Sequence, residues 1–326
     1  MAVGTSRKIS AASARAHTRK PKRKASVAGF SGHIFLDSIN TQSVVVVSNT
    51  EATRPPPPKT CGSPDGPPIT ASRIQLNDGR HLAYKEYGVP KDEAKYKIIF
   101  IHGFGCCRHD ISVITSNLSP DLVESQGIRI VSFDRAGYGE SDPNPKQTVK
   151  STAFDIEELA DKLGLGSKFY LVGFSMGGQL VWTCLKYIPH RLAGAALLTP
   201  VVNYWWPGLP SNLTKEAYDQ QPPQDQWAVR AQVRQQGDFV SLHRDLMIGF
   251  GTWEFDPTGL ENPFSESEGS VHLWQGDDDK LVLVTPQRYI AQKLPWIQYH
   301  ELPGAGHLFP YADGMADLII KTLLAG

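Results

Sequence analysis

The amino-acid sequence predicts an α/β protein with a mostly parallel central β-sheet and helices on both faces. Three observations indicate this fold class: short, nearly continuous apolar runs recur along the chain, helical patterns fall between them, and a hairpin signal precedes both. Alternating strands and helices produce parallel strands, because each helix carries the chain back to the same end of the sheet. The chain has 326 residues, 40% of them hydrophobic, so it can bury the core that such a fold needs.

The predicted elements begin with the hairpin, in which 72–76 and 81–87 alternate around Asn77-Asp78-Gly79-Arg80. Later strands are predicted at 97–101, 128–133, 168–172, 192–199, 271–275 and 297–301, and helices at 148–163, 176–188, 286–294 and 314–324. The stretch 201–268 breaks this alternation, because it is rich in Trp, Gln and Pro and has no strong strand. It is predicted to be a cap inserted over the sheet.

The N-terminal part differs in composition from the rest. Residues 1–53 are rich in Ser, Ala, Thr and basic side chains and are predicted to be a disordered leader. Such an acid-poor leader is typical of a transit peptide for a chloroplast or another organelle. The basic cluster at 20–24 is also typical of a nuclear-localisation signal, and a tail with no address, in a cytoplasmic protein, is the third alternative. Residues 54–69 are predicted to be a Pro-rich linker, and 70–326 the folded domain.

Charge and cysteine content exclude several classes of function. Eight of the 33 basic residues lie in 1–24, so the remainder of the chain carries 25 basic against 33 acidic residues. A body with that balance is a poor match for a nucleic-acid backbone, and we expect no nucleic-acid partner. Four cysteines are too few for a disulfide framework, and the absence of a CxxC spacing argues against structural zinc. No apolar run approaches the roughly 18 residues needed to cross a bilayer, so the sequence predicts a soluble protein.

The strongest chemical signal is Gly173-Phe174-Ser175-Met176-Gly177, which follows a predicted strand and opens a predicted helix. A strand-to-helix turn this sharp needs Gly173 and Gly177 on either side, and it lifts the serine hydroxyl out at the edge of the sheet. The free N–H groups at the start of the helix favour developing negative charge. Ser175 is therefore predicted to be a nucleophile.

A serine nucleophile needs a base, and the base needs an orienting group. His307 ends a glycine-rich loop after the last predicted strand, where a side chain can turn back over the carboxyl end of the sheet. The orienting acid is expected in the turn after the strand at 271–275. There Asp279 is favoured over Asp278, and Asp277 and Asp278 are interpreted as parts of a solvated acidic turn. The chain order serine, aspartate, histidine is one of the known orders of this triad.

Two backbone N–H groups are predicted to stabilise an oxyanion. One belongs to Met176, directly after the nucleophile, and the other to Phe104, in the loop after the strand at 97–101. Gly103 lets the backbone of that loop approach closely. His102 is interpreted as a structural hydrogen-bonding residue and not as a second base.

With these motifs the chain resembles proteins of the α/β-hydrolase fold, specifically of the plant lipase/esterase-like type. The resemblance implies that Ser175 is the nucleophile, His307 the base and Asp279 its partner, which agrees with the interpretation of the residues themselves. It also implies that 134–142 closes the sheet around the floor of the site, and it implies neither a metal nor an organic cofactor. The matching stretches are 102–105, 133–142, 173–177, 276–282 and 304–307.

Two departures from similar plant chains affect these expectations. A basic, polar leader stands where those chains often carry an apolar membrane-anchoring segment. Residues 226–230 run almost directly into 235–238, as if part of the cap were missing. A shorter cap would leave a long acyl chain partly in water, at a cost of about 0.8 kcal/mol of binding for each exposed methylene. We therefore expect short or medium soluble esters to be preferred.

The sequence as a whole predicts a serine hydrolase that cleaves small carboxylic esters through an acyl-enzyme on Ser175. Two alternatives use the same fold. One is a ligand-binding, receptor-like protein with little turnover, and the other is an acyltransferase that passes the acyl group to an alcohol. The sequence makes no prediction of the oligomeric state.

Overall fold

The centre of the protein is an eight-stranded β-sheet, seen in a computed structural model that describes residues 55–213, 231–264 and 269–326. The strands are Ser72–Gln75 (β1), His81–Gly88 (β2), Tyr96–Ile101 (β3), Ile128–Phe133 (β4), Phe169–Phe174 (β5), Leu192–Leu198 (β6), Val271–Gly276 (β7) and Ile297–Leu302 (β8). Their order across the sheet is β1-β2-β4-β3-β5-β6-β7-β8. The β1–β2 and β2–β4 pairs are antiparallel, and the other five pairs are parallel. The predicted fold class, an α/β protein with a mostly parallel sheet, is confirmed.

The α-helices of the described ranges lie between and after these strands. They are Ser112–Thr115 (α1), Pro120–Gln126 (α2), Val149–Leu163 (α3), Gly177–Tyr187 (α4), Arg244–Gly249 (α5), Val284–Lys293 (α6) and Met315–Ala325 (α7). None of the helices within the described ranges combines the length and the apolar character that crossing a membrane requires.

The sheet is buried on both faces, as strand β3 illustrates. Its Ile99 and Ile101 belong to one core, with side chains of α3, α4 and α6, whereas Ile98 and Phe100 belong to a second core, with side chains of α1, α2 and α7. Successive residues of a strand point to opposite faces, so a strand between two helical layers must be apolar throughout. The continuous apolar runs in the sequence reflect this three-layer arrangement.

The predicted strands and long helices agree with the observed ones to within two residues at each end. The sequence patterns did not predict the short helices α1, α2 and α5, because these helices have too few residues to establish a helical period. Helix α2 does carry local signals, because Pro120 occupies its first turn and Gly127 ends it with a left-handed φ of 66°. These two residues could have located it.

Residues 55–71, most of which the sequence assigns to the linker, include a buried contact with the domain. Cys61 is buried, and its backbone N–H donates to Gln236 Oε1 at 3.2 Å. Further along, the N–H and hydroxyl of Thr70 donate to the Glu140 carboxylate at 2.7 and 2.6 Å. Burial alone would raise the pKa of Glu140, but the hydrogen bonds from Thr70 and Ala71, together with Arg108, lower it to about 2. The predicted leader, 1–53, lies outside the described residues.

Strands β7 and β8 each contribute one histidine to a contacting pair, in which His272 is buried and His300 is half-buried. Nδ1 of His272 and Nε2 of His300 are joined by a hydrogen bond of 3.0 Å, and Ser270 Oγ lies 2.7 Å from His272 Nε2. Burial, and then the neighbouring His300, lower the pKa of His272 to about 4. The folded protein therefore favours the neutral form of this ring.

This pair predicts a loss of stability in mild acid. A histidine whose pKa falls from about 6.5 in the unfolded chain to about 4 contributes stability above pH 6.5 that is lost as the pH falls towards 4. The full contribution is about 3 kcal/mol. We expect urea unfolding of wild type at pH 7, 5.5 and 4 to reveal this decline, and His272→Asn to reduce its slope. His190→Asn, at an exposed position, is the control, and an equal slope in wild type and His272→Asn would contradict the assignment.

Candidate active site

Ser175 occupies the turn between β5 and α4, and its backbone is in the left-handed region with φ of 55°. Such a φ is uncommon for a residue with a side chain, and it is what brings a strand into a helix within a single residue. The flanking glycines are required sterically. A Cβ on Gly173 would lie 2.5 Å from Val181 Cγ2, and a Cβ on Gly177 would overlap with the carbonyl oxygen of Ile101.

The turn is held by hydrogen bonds to the neighbouring strand β6. The Ser175 N–H donates to the Leu198 carbonyl at 2.9 Å, and the Ser175 carbonyl accepts from the N–H of Val201 at 3.0 Å. Thr199, between these two partners, also has a left-handed φ of 42°. A β-branched residue in that conformation is strained, so two strained residues lie side by side at the carboxyl ends of β5 and β6. No sequence pattern indicated the left-handed conformation of Thr199.

His307 and Asp279 are joined by a hydrogen bond of 2.8 Å between His307 Nδ1 and Asp279 Oδ2. Asp279 lies in the turn after β7, and His307 in the loop after β8, so two parallel strands deliver the two side chains to one edge of the sheet. Because a carboxylate accepts, Nδ1 carries the proton and Nε2 is left as the acceptor of the ring. This tautomer is the one that a general base needs.

The carboxylate of Asp279 is itself held in place. Its Oδ1 accepts from the N–H groups of Leu281 and Val282 at 2.8 and 2.9 Å. On the other side, the buried amide of Gln275 donates to the Val282 carbonyl at 2.8 Å and reaches Asp279 Oδ2 at 3.4 Å. The contact of Gln275 with this turn was not predicted, because a glutamine at the end of a strand carries no distinctive sequence signal.

The two neighbouring aspartates have other partners. Asp278 is exposed and pairs with Lys280 at 2.5 Å, and Asp277 accepts from the N–H of Gly304 at 2.6 Å. The geometry therefore separates the three acids of this turn: Asp279 contacts His307, whereas Asp277 and Asp278 hold the outer part of the turn.

His307 lies beside the serine turn, with its ring centroid 5.2 Å from that of Phe174. Within the described ranges, no hydrogen bond joins the Ser175 hydroxyl to the His307 ring. Hydrogen bonds of this kind are often long before substrate binds and tighten in the complex. The predicted nucleophile, base and acid thus lie at one edge of the sheet, with the acid–base contact already formed.

The loop after β3 contacts the serine directly. A Cβ on Gly103 would lie 3.1 Å from Ser175 Cβ and 3.3 Å from the Phe174 carbonyl oxygen, so only glycine fits without displacing the turn. On the other side of Ser175, Met176 precedes the first residue of α4, where N–H groups have no acceptor within the helix. The loop that carries Phe104 and the N–H of Met176 therefore flank the serine, as an oxyanion site requires.

His102 stiffens this loop and is fully buried. Burial, and then the nearby Arg135 charge, lower its pKa well below the usual value, so the ring is neutral. Its partners fix the tautomer. Nε2 must accept from the backbone N–H of Arg135 at 3.1 Å, and Nδ1–H must donate to the Gly103 carbonyl at 2.8 Å. With both nitrogens occupied, His102 holds the loop and has no nitrogen left for a substrate proton.

The aromatic residues of the cap divide into packing and exposed groups. Trp206 and Trp253 stack edge to face at 5.1 Å and pack on the core, whereas Trp205 is 70% exposed. The stretch 226–230, which includes Trp227 and on which the shortened cap was inferred, lies outside the described residues. The described part of the cap reaches the serine turn, since a Cβ on Gly249 would lie 2.7 Å from Met176 Cε.

Comparison with known proteins agrees with this architecture. A family model described as the alpha/beta hydrolase fold matches residues 96–240, from β3 through the serine turn and into the cap. The chain has the α/β-hydrolase fold. The predicted resemblance at the level of the superfamily is confirmed, while the plant lipase/esterase-like type stays a prediction.

Individual relatives cover parts of this α/β-hydrolase. A non-heme chloroperoxidase of Streptomyces lividans is 26% identical over 129 residues, which are 39% of this chain and 44% of that protein. The chain spans less than half the length of the curated relatives it matches, as in this case. Solved structures share the fold over a wider span. An esterase from Exiguobacterium antarcticum (17% identity, TM-score 0.54) matches 78% of this chain and 98% of its own. A bromoperoxidase from Bacillus anthracis (17% identity, TM-score 0.56) matches 79% and 100%.

The close approach of Gly177 to the end of β3 predicts that Gly177→Ala destabilises the protein. The added Cβ would overlap with the Ile101 carbonyl, and because Cβ is fixed to the backbone, the overlap can be relieved only by moving backbone. Overpacking of this kind costs about 1–3 kcal/mol, which exceeds the gain in helix propensity of about 1 kcal/mol from replacing glycine. Thermal and urea unfolding measure the change. Gly259→Ala is the control, since no atom lies within 4 Å of the Cβ that this substitution would add. Equal stabilities of the two variants would contradict the close approach.

Proposed function

We propose that the protein is a serine hydrolase that cleaves carboxylic esters through an acyl-enzyme intermediate on Ser175. The observation that carries the proposal is the 2.8 Å hydrogen bond between His307 Nδ1 and Asp279 Oδ2, beside a serine held with φ of 55°. The match of residues 96–240 to the alpha/beta hydrolase family model supports hydrolase chemistry, and the esterase from Exiguobacterium antarcticum shares the fold.

Acylation begins at the Ser175 hydroxyl. Its oxygen attacks the carbonyl carbon of the ester while His307 Nε2 takes its proton, which gives a tetrahedral intermediate and an imidazolium. Asp279 stabilises that imidazolium and keeps its ring oriented, because the carboxylate is fixed by two backbone N–H groups. The intermediate then expels the alcohol, which leaves with the proton from His307, and the acyl group stays on Ser175.

Deacylation repeats these steps with water in the place of the alcohol. His307 Nε2 takes a proton from the attacking water, and the second tetrahedral intermediate expels the Ser175 oxygen, which regains its proton from His307. The carboxylic acid is released and the enzyme returns to its starting state.

The negative oxygen of both intermediates would be stabilised by the N–H groups of Met176 and Phe104. Donors of this kind are preorganised and act where charge develops, and each is worth about 3–4 kcal/mol of transition-state stabilisation. Helix α4 adds to the effect, since its N-terminal end carries partial positive charge next to Ser175. The close approach of Gly103 to Ser175 brings the second donor's loop to the same point.

The role of Ser175 is tested by covalent labelling. We expect a fluorophosphonate probe to label the wild-type protein once per chain and to leave Ser175→Ala unlabelled. Hydrolysis of p-nitrophenyl butyrate should disappear with the label. Ser241→Ala is a control, because that serine is also buried but donates to the Gly237 carbonyl in the cap. A wild-type protein that neither binds the probe nor turns over esters would instead favour the receptor-like alternative.

The role of Asp279 is tested against its neighbour. Asp279→Asn should lower kcat by up to about 10⁴-fold, because an amide in that position favours the wrong tautomer of His307. Asp278→Asn, which loses only an exposed ion pair with Lys280, should change kcat by less than about 2-fold. Steady-state kinetics on p-nitrophenyl butyrate compare the two variants. Mild, equal effects would remove Asp279 from the mechanism.

A further inference from the structure

One face of the short cap helix α5 contacts the Met176 side chain and Arg135, which in turn holds the loop after β3. Asp245 and Gly249 are four residues apart in α5 and therefore lie on the same side of the helix. Gly249 packs on the Met176 side chain, where a Cβ would lie 2.7 Å from Met176 Cε. Asp245 reaches the opposite side, towards the loop that carries Phe104. The cap thus contacts the Met176 side chain directly and the loop that carries Phe104 through Arg135.

The contact of Asp245 is a buried ion pair with Arg135. The two guanidinium nitrogens Nη1 and Nη2 of Arg135 donate to Oδ1 and Oδ2 of Asp245 at 2.5 and 2.7 Å, and the Tyr138 hydroxyl donates to Oδ2 at 2.8 Å. Arg135 is 3% and Asp245 is 6% exposed. Among the described residues, Asp245 is the one carboxylate paired with Arg135, and Arg135 Nε has no hydrogen-bond partner. The position of the guanidinium therefore depends on Asp245.

Arg135 passes this constraint to the loop after β3. Its Nη2 also donates to the Gly103 carbonyl oxygen at 3.0 Å, and the same oxygen accepts from His102 Nδ1–H at 2.8 Å. The backbone N–H of Arg135 in turn donates to His102 Nε2 at 3.1 Å. Two fixed donors therefore hold one carbonyl.

That carbonyl belongs to the same peptide unit as the Phe104 N–H. The peptide is trans, as are the others in the described ranges, and a trans peptide is planar, with its C=O and N–H pointing in opposite directions. Fixing the direction of the Gly103 carbonyl consequently fixes the direction of the Phe104 N–H. A rotation of this peptide plane would turn the donor away from the oxyanion position while leaving Ser175, His307 and Asp279 in place.

We propose that Asp245 is a positioning residue through which the cap orients one donor of the oxyanion hole. Its carboxylate holds Arg135 on the Gly103 carbonyl, and so holds the Phe104 N–H in the direction that an oxyanion needs. This inference rests on the proposed function for its consequence in catalysis, but the orientation of the peptide is a structural property that can be measured separately.

The kinetic test is Asp245→Asn in the full chain, with active sites titrated by the fluorophosphonate probe. Loss of one oxyanion donor costs about 10²–10³-fold in kcat, so disorientation of the donor should lower kcat per titrated site by about 10–100-fold. KM should stay within about 2-fold, because the donor acts on the transition state. The inhibition constant of butylboronic acid, whose tetrahedral adduct places an oxygen in the hole, should rise by the same factor as kcat falls. Asp245→Glu should recover part of both losses.

The matched control is Asp155→Asn. Asp155 also forms a bidentate, largely buried pair with an arginine, Arg80, at 3.1 and 2.6 Å, but it lies on helix α3 and contacts no residue of the site. We expect this variant to lose stability as Asp245→Asn does and to keep its kcat per titrated site. A purely structural role of Asp245 would give the same pattern in both variants, and that result would overturn the proposal.

A second readout does not depend on turnover. In protein labelled with ¹⁵N-phenylalanine, the Phe104 amide signal, identified by its loss in Phe104→Leu, should shift or broaden in Asp245→Asn and stay unchanged in Asp155→Asn. An unmoved signal would overturn the proposal even if activity fell, whereas a moved signal in a protein without esterase activity would overturn only the proposed function. If Asp245→Asn does not fold, Tyr138→Phe removes one donor to the same carboxylate. It should then move the Phe104 signal, and no change would again overturn the proposal.

Discussion

The constraint on which the rest of the structure depends is the turn at Ser175. Strand β5 enters helix α4 through a single left-handed residue, and this is possible only because Gly173 and Gly177 leave space for neighbouring backbone. The close approach of Gly177 to the end of β3 fixes the distance between two central strands and the helix. Gly103 then packs against the serine itself. A larger residue at any of these glycines would displace the backbone on which the site is built.

Strand direction explains why distant side chains meet at this turn. Strands β3, β5, β6, β7 and β8 run parallel, so the segments that follow them emerge at one edge of the sheet. The turn after β7 brings Asp279, the loop after β8 brings His307, and the loop after β3 brings Gly103. Each of these residues lies on a short loop anchored by buried strands, which limits its motion.

Buried charges connect the segment after β4 to the cap, to the segment after β3 and to the segment before β1. Residues 134–140 hold three of these links: Arg135 pairs with Asp245 in the cap, Asp134 pairs with Arg108, and Glu140 accepts hydrogen bonds from Thr70. Buried ion pairs contribute little net stability, because desolvation offsets the attraction, but removing one partner leaves a costly unpaired charge. Such pairs therefore fix relative positions more than they raise stability. This property matters where the inserted cap packs on the turn at Ser175.

The sequence by itself determined the fold class, the strands to within two residues, and the two glycines that flank Ser175. Each of these depends on local patterns of apolar spacing and turn chemistry. It also nominated His307 and Asp279 from their places after predicted strands. Only the tertiary structure decided that Asp279, among three consecutive aspartates, contacts His307. It alone joined Asp245 to Arg135, which are 110 residues apart, and Cys61 to Gln236, which are 175 apart. Such contacts leave no periodic trace in the chain, since they arise when already formed elements pack together, and the packing selects the partner.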